Sequence, residues 1–312
     1  MRQKLGPFNM KNSHVCIVII NWNGYEDTCV CLDSLENVHY PAYSVIVVDN
    51  GSVDGSEAKL RQRYPQHLIL QTGSNLGFAG GVNYGIRHAL GQEADYVLLL
   101  NNDTRVEPSF LQALVSRADS DESAGIISGQ IYHMCPPNRL WAYGGSFNAN
   151  TGIASHYLCA DDVQKLLKEP WYFYIPACLW LMRMECIKSV GFLSEKYFHL
   201  GEDVEYCIRV IKGGWKLNMT SEAAIYHKGS ASLSNLNPVY HYYNYRNRLY
   251  LIREYHQAHR RIWQKAVDYS ALLGAVMLSI FYARTPWEIF RNAQFISMAF
   301  YDFSRGRAGK RF

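Results

Sequence analysis

Three short polar clusters carry residue types able to do chemistry on a polar ligand: Asn21-Trp22-Asn23, Asp49-Asn50-Gly51-Ser52 and Asn101-Asn102-Asp103-Thr104. Each mixes amides with hydroxyls or carboxylates, which supply hydrogen-bond donors, acceptors and a charge for a cation. Glu202-Asp203 sets two carboxylates side by side. Such neighbours raise the pKa of one of them, which suits a general base, although a pair at a helix start equally complements the helix dipole. His227, ahead of Lys228-Gly229-Ser230, could share a divalent ion with an aspartate from another loop, with waters and a phosphate completing the shell. The segment Asn75-Leu76-Gly77-Phe78-Ala79-Gly80-Gly81-Val82-Asn83-Tyr84-Gly85 puts glycines at the opening of a helix, where backbone can approach a ligand and anions are favoured. It matches neither GxGxxG nor a Walker loop, and close helix–strand packing explains some of its glycines equally well.

These clusters need a scaffold, and the first 130 residues supply a regular one. Apolar runs at Val15–Ile20, Val45–Val48, Leu68–Leu70, Tyr96–Leu100 and Ile126–Ile127 alternate with helical stretches at Tyr25–Asn37, Ser56–Tyr64, Phe78–Leu90 and Pro108–Ser120. Continuous apolar strands separated by helices predict an α/β fold with a mostly parallel sheet covered on both faces. Pro108 suits a first helical turn, and Asp54 or Ser52 suits a cap for the second helix. All three polar clusters follow strands, and ligands of open α/β sheets bind outside the carboxyl ends of strands where chain order reverses. Any one cluster alone reads as ordinary loop and cap residues; three together predict one site. Beyond residue 130 the rhythm breaks into a Pro-, Gly-, Tyr- and Trp-rich stretch through Trp180, read as loops and an irregular binding region. A strand at Ala223–Tyr226 and helices near Asp203–Lys212 and from about Tyr240 onward follow.

The chain of 312 residues is 48% apolar and 19% charged, which excludes general disorder, and a net charge of +4 is too small to imply nucleic acid. The charge is uneven: Arg253–Phe312 holds ten Lys and Arg against four Asp and Glu, a surplus of six, so the remainder is slightly acidic. Eight scattered cysteines without a CxxC pair read as reduced and structural, and the compartment as cytoplasmic. The apolar run Val15–Ile20 is too short for a signal peptide, and Tyr269–Ala283 is too short to span a membrane.

The ordered set of motifs resembles the family 2 glycosyltransferases, and within them the bacterial rhamnosyltransferase-like branch. The resemblance runs from about residue 13 to 250 through Ile19-Ile20-Asn21-Trp22-Asn23, Val47–Ser56, Asn75–Gly85, Leu98–Asp103, Gly201-Glu202-Asp203-Val204-Glu205, His227 and Tyr245-Arg246-Asn247-Arg248. It implies a GT-A fold and transfer from a nucleotide sugar with inversion at the anomeric carbon, supported by a divalent cation, Mg2+ or Mn2+. Asn21, Asn23, Asp49, Asn50, Asn75, Gly77, Gly80, Asn83, Asn101 and Asn102 fall in the nucleotide-sugar segments, with Asp49 matching the acid that bonds the base. Asn101-Asn102-Asp103 stands where the family carries Asp-x-Asp. The first carboxylate is replaced by Asn101, which leaves Asp103 as the main metal carboxylate, joined by His227. Asp203, beside Glu202, matches the catalytic base. Ile175-Pro176-Ala177-Cys178 replaces a frequent Gly-Ala pair, and Trp141, Tyr143, Trp171, Tyr172 and Tyr174 are candidates either for stacking on sugars or for plain packing.

The resemblance divides the chain into a GT-A catalytic domain over 13–235 and a C-terminal helical extension over 236–312. The catalytic domain comprises a nucleotide-sugar half (13–105) and an acceptor half (106–235). Basic residues Arg260, Arg261, Lys265, Arg284 and Arg291 within an aromatic, apolar tail are consistent with peripheral contact at the inner face of the cytoplasmic membrane, or with packing on the catalytic domain or a partner. The expected partners are a nucleotide-sugar donor and a glycan or lipid-linked glycan acceptor, with no nucleic acid. Two rival classes are a non-catalytic scaffold of the same fold and a sugar nucleotidyltransferase. Asp49, Asp103, Asp203 and His227 standing together speak against the first. Asn21-Trp22-Asn23-Gly24, where a Gly-rich Arg/Lys loop is usual, speaks against the second.

Overall fold

A computed structural model describes residues 13–159, 165, 167–169, 171–229, 238–256 and 285–312. The alternating half is built as the apolar runs predict: β1 (Val15–Asn21), α1 (Tyr25–Leu35), β2 (Tyr43–Asp49), α2 (Ser56–Arg63), β3 (Leu68–Gln71), α3 (Gly77–Ala89), β4 (Tyr96–Asn101), β5 (Thr104–Val106) and α4 (Phe110–Asp119). There follow β6 (Ala124–His133), β7 (Leu140–Ala142), β8 (Gly145–Asn148), β9 (Ile153–His156), β10 (Trp171–Tyr174), β11 (Leu179–Arg183), α5 (Met184–Val190), α6 (Glu202–Lys212), β12 (Lys216–His227), α7 (Pro238–Tyr255) and α8 (Pro286–Ser304).

The main sheet runs β3-β2-β1-β4-β11-β6-β12-β5, with β7 paired to β6. β3, β2, β1 and β4 are mutually parallel, and β11 enters antiparallel between β4 and β6. β1 lies between β2 and β4, so the chain order reverses there and the carboxyl ends of all three strands open on one crevice. Successive strand residues point to opposite faces and fill two cores. Val18, Val48 and Leu99 pack with Val82, Ile86 and Trp180 on one side. Ile17, Ile19, Val47 and Leu98 pack with Leu32, Phe110 and Leu114 on the other.

Several local expectations are corrected. Pro108 precedes α4, and its carbonyl accepts the His39 amide at 2.9 Å. Gly55 (φ 80°) sits at the start of α2, where Asp54 Oδ1 accepts the Ser56 amide from one position earlier, while Ser52 bonds across to Asn21 and Asn23. Among its described residues the stretch after residue 130 holds regular structure as well as loops: β10-β8-β9 form a second, antiparallel sheet. β12 extends well upstream of Ala223, because a register shift between Met219 and Ala224 lets exposed Ser221 and Glu222 bulge out of the pairing with β6.

α7 and α8 pack on each other around Tyr242, Tyr243, Ile296 and Ala299, and Tyr242 donates to buried Asp302 at 2.7 Å. Tyr269–Ala283, with Arg260, Arg261, Lys265 and Arg284, lies outside the described residues; among those described, no helix is long and apolar enough to cross a membrane. All eight cysteines are free thiols, and six are buried.

Candidate active site

A hydrogen-bond network joins the first two strand ends. Asp49 is fully buried; its Oδ1 accepts from the Ser52 amide and Gln71 Nε2, both at 2.9 Å, and its Oδ2 accepts from Asn21 Nδ2 at 2.7 Å. Asn21 in turn accepts from Thr28 Oγ1 at 2.9 Å, and Thr28 accepts from Asn102 Nδ2 at 2.9 Å. Gly24 packs against this network: a Cβ there would meet Asn102 Nδ2 at 2.7 Å, so the Asn102 side chain would have to shift. Asn23 (φ 51°) receives the Val53 amide on its side-chain oxygen at 2.8 Å, tying the first cluster to the second.

The Asn75–Gly85 segment is spent largely on packing. Asn50 donates to the Gly77 carbonyl at 2.9 Å and accepts from the Leu76 amide, while Asn75 accepts from the Gly77 amide at 2.8 Å. Cβ atoms at Gly80 and Gly85 would meet Leu76 and Val18 at 2.7 and 2.4 Å. Asn83 is buried with its amide engaged by Leu193 and Glu195, so it braces α3 against the loop before α6.

The third strand end meets the end of β12. Asp103 Oδ1 lies 3.1 Å from His227 Nε2, and Asn101 Nδ2 lies 3.4 Å from the same nitrogen. Burial would raise the Asp103 carboxyl, but hydrogen bonding and charge from His227 outweigh it and hold the group below the usual range. Two adjacent ligands of an octahedral ion with bonds of ~2.1 Å are about 3.0 Å apart, so this carboxylate and imidazole fit Mg2+ or Mn2+ as neighbouring ligands. Among the described residues no third His, Cys, Asp or Glu joins them. His227 Nδ1 is buried without a hydrogen-bond partner. Trp141 stands edge-on to His227 with ring centres 5.1 Å apart, and to His156 at 4.6 Å.

The carboxylate pair comes in at the start of α6. Asp203 accepts the Val204 amide at 2.8 Å, and the nearby Ala177 backbone favours its charged form. Burial pushes both carboxyls above the ordinary range, Glu202 further because the Asp203 charge adds to it, and Glu202 Oε2 has no hydrogen-bond partner. One loop joins this pair to the metal-binding candidates. Cys178 O accepts the Asn101 amide at 3.1 Å, its neighbour Ala177 lies near enough to favour the Asp203 carboxylate, and the Cys178 thiol, raised chiefly by burial, feels the charges of both Asp103 and Asp203. Hydrogen bonds thus run from Asp49 through Asn21 and Thr28 to Asn102, and the Asn101 amide next to it reaches the Cys178 carbonyl. Of the aromatic candidates, Tyr143, Tyr172 and Tyr174 are buried, Trp171 is exposed on β10, and Trp141 faces the site. Sequence spacing does not single out Thr28, Gln71 or His156, whose partners are fixed only by the folded sheet.

A family model described as Glycosyl transferase family 2 matches residues 16–191. The N-acetylglucosaminyl-diphospho-decaprenol L-rhamnosyltransferase of Mycobacterium tuberculosis (strain ATCC 25618 / H37Rv) is 29% identical over 211 residues, covering 61% of this chain and 68% of that protein. The galactofuranosyltransferase GlfT1 of Mycobacterium tuberculosis (strain CDC 1551 / Oshkosh) is 24% identical over 258 residues, covering 77% of this chain and 82% of that one. The solved structure of the mannosyltransferase PcManGT from Pyrobaculum calidifontis, in complex with GDP-Man and Mn2+, superposes with a TM-score of 0.57 at 14% identity, over 95% of this chain and 88% of that one. The sheet is thus the GT-A fold that the motifs imply, and with more than half of its length matched the chain belongs to glycosyltransferase family 2.

Proposed function

We propose that this glycosyltransferase transfers a sugar with inversion, rhamnose from dTDP-rhamnose, to a glycan or lipid-linked glycan acceptor in cell-surface polysaccharide synthesis. The observation that supports the mechanism is the Ala177-Cys178 segment, whose Cys178 carbonyl accepts the Asn101 amide and whose Cys178 thiol feels the charges of both Asp103 and Asp203. The rhamnosyltransferase relative, whose name specifies a diphospho-decaprenol-linked N-acetylglucosamine, supports the choice of donor sugar and acceptor class.

In this reading the Asp49–Asn21–Ser52 cluster and Asn101 hold the nucleoside, and Asp103 and His227 hold a divalent cation. The cation, when bound, offsets negative charge on the departing diphosphate. Asp203 takes the acceptor hydroxyl's proton as that oxygen bonds the anomeric carbon and the bond from that carbon to the phosphate oxygen breaks, with its electron pair leaving on the diphosphate. General-base assistance of this kind contributes about 10²–10⁴-fold. Residues 13–235 form the catalytic domain and 236–312 an extension that contacts the inner face of the membrane; flotation with anionic liposomes tests the latter.

The deciding experiment incubates the protein with dTDP-rhamnose or UDP-hexoses, Mn2+ or Mg2+, and a prenyl diphosphate-linked N-acetylglucosamine. Nucleoside diphosphate release with an inverted linkage is expected; pyrophosphate release or no release overturns the reading.

A further inference from the structure

The loop that delivers Glu202-Asp203 is held in an unusual shape by the C-terminal helices. Phe198 (φ 53°) and Leu200 (φ 70°) are left-handed without being glycine, and Gly201 (φ 91°) follows. Such conformations cost free energy and persist only when their surroundings fix them. Here each carbonyl ahead of α6 is taken. Lys196 O accepts from the Gly309 amide at 2.8 Å, and Phe198 O from the Phe78 amide at 2.7 Å. The carbonyls of Tyr197, His199 and Leu200 all converge on one atom, Asn247 Nδ2, at 2.7, 2.8 and 2.7 Å. Asn247 is 1% exposed, and its own oxygen accepts from Arg246 Nε at 3.1 Å. Arg246 also reaches Gly309 O at 2.7 Å, and Arg248 holds Thr151 O at the β8–β9 turn.

We infer that Asn247 is a positioning residue: from α7 it gathers three carbonyls of the Tyr197–Gly201 loop and so fixes the direction in which α6 presents Asp203. The side chain is too deeply buried to meet substrate, and its amide has two protons for three acceptors, so the carbonyls must converge for all to be served. The motif Arg246-Asn247-Arg248 thereby ties the C-terminal tail, the loop carrying the base and the outer sheet to one helix.

The inference rests on Asp203 being the base, and a double-mutant cycle on the full chain separates the two claims. Activity is read as dTDP release from dTDP-rhamnose with Mn2+ and the prenyl-linked acceptor, and dTDP binding by calorimetry is the control. Asn247→Ala is expected to lower kcat by about 10²-fold, the effect of a misplacement of about 1 Å. It leaves the dTDP Kd within about twofold and has no further effect in an Asp203→Asn background. An unchanged kcat, a full independent loss in that background, or dTDP affinity lost together with activity overturns it. Asp203→Asn alone at full rate instead refutes the base assignment. Hydrogen exchange then judges Asn247: faster exchange over residues 198–206 with β1 unchanged supports the holding role, and unchanged exchange there ends it. If Asn247→Ala does not fold, Asn247→Ser, which keeps one donor and less of a cavity, is carried through the same cycle.

Discussion

Asp103 and His227 meet at 3.1 Å, Oδ1 to Nε2, because β5 and β12 pair antiparallel and bring His227 opposite Thr104. The Lys228 amide then donates to the Asp103 carbonyl at 3.0 Å and closes the corner. Strand pairing and this backbone bond therefore bring a carboxylate and an imidazole side by side before any cation binds.

That pre-arrangement sets the metal prediction. Asp103→Asn and His227→Ala each weaken Mn2+ binding in the presence of dTDP by about 10-fold or more, and lower turnover by about 10²–10³-fold, the range for removing one group that stabilises developing charge. Calorimetric titration of Mn2+ into the nucleotide complex checks this. The wild-type protein loses activity in EDTA and regains it on adding Mn2+; undiminished turnover in EDTA would exclude a metal requirement.

With Asp203 as the proposed base, Asp203→Asn removes the proton acceptor while keeping size, and transfer is expected to fall by about 10²–10⁴-fold with donor affinity retained. In the wild type, a base works only when deprotonated, and burial raises this carboxyl above the ordinary range. Glu202 beside it and the Tyr174 hydroxyl face it, and the Ala177 and Val204 amides oppose part of the rise. The acid limb of kcat should therefore lie above the usual carboxylate values near 4, with activity lost as pH falls through it. A rate profile flat down to pH 4 would refute the assignment.

Glu202 makes a separate prediction about stability. Its folded-state pKa is raised, first by burial and then by the Asp203 charge. Its contribution to stability is thus fully present below the ordinary glutamate pKa of about 4.3, and is lost as pH rises toward the folded value. Glu202→Gln, which cannot ionise, should leave Tm nearly unchanged at pH 4.5 and raise it by about 2–6 °C at pH 8, at ~2–4 °C per kcal/mol for a domain of this size. Paired melting curves at the two pH values measure the difference.

What the sequence makes legible follows from the range of the interactions. Strands β1, β2 and β4 stand out because each is buried on both faces and so continuously apolar, and the polar residues that end them mark the crevice. The second sheet is hidden because β8 carries glycine, serine and asparagine, and exposed β9 alternates weakly. Asp49 and Asn21 stand out by type, yet Thr28 reads as an ordinary helical residue until α1 turns it onto Asn21. Asn247 belongs to a visible motif, but nothing in its spacing points to carbonyls nearly fifty residues upstream, since that contact exists only once α7 docks.

Gly77 and Gly73 provide a matched pair for the loop that leads to Asp203. Both have φ 77°, which L side chains disfavour, but a Cβ at Gly73 meets nothing within 4 Å, whereas one at Gly77 would lie 2.2 Å from the Phe198 carbonyl oxygen. Gly73→Ala should therefore carry backbone strain alone, about 1–2 kcal/mol, and keep full turnover. Gly77→Ala adds overpacking of about 1–3 kcal/mol and can fit only if Phe198 moves and breaks its bond to the Phe78 amide. Because Phe198 lies in the loop that Asn247 gathers, the displacement is passed to Asp203, and kcat falls well beyond the stability loss while dTDP affinity holds. Equal turnover in the two variants would mean that this loop adjusts without disturbing the proposed base.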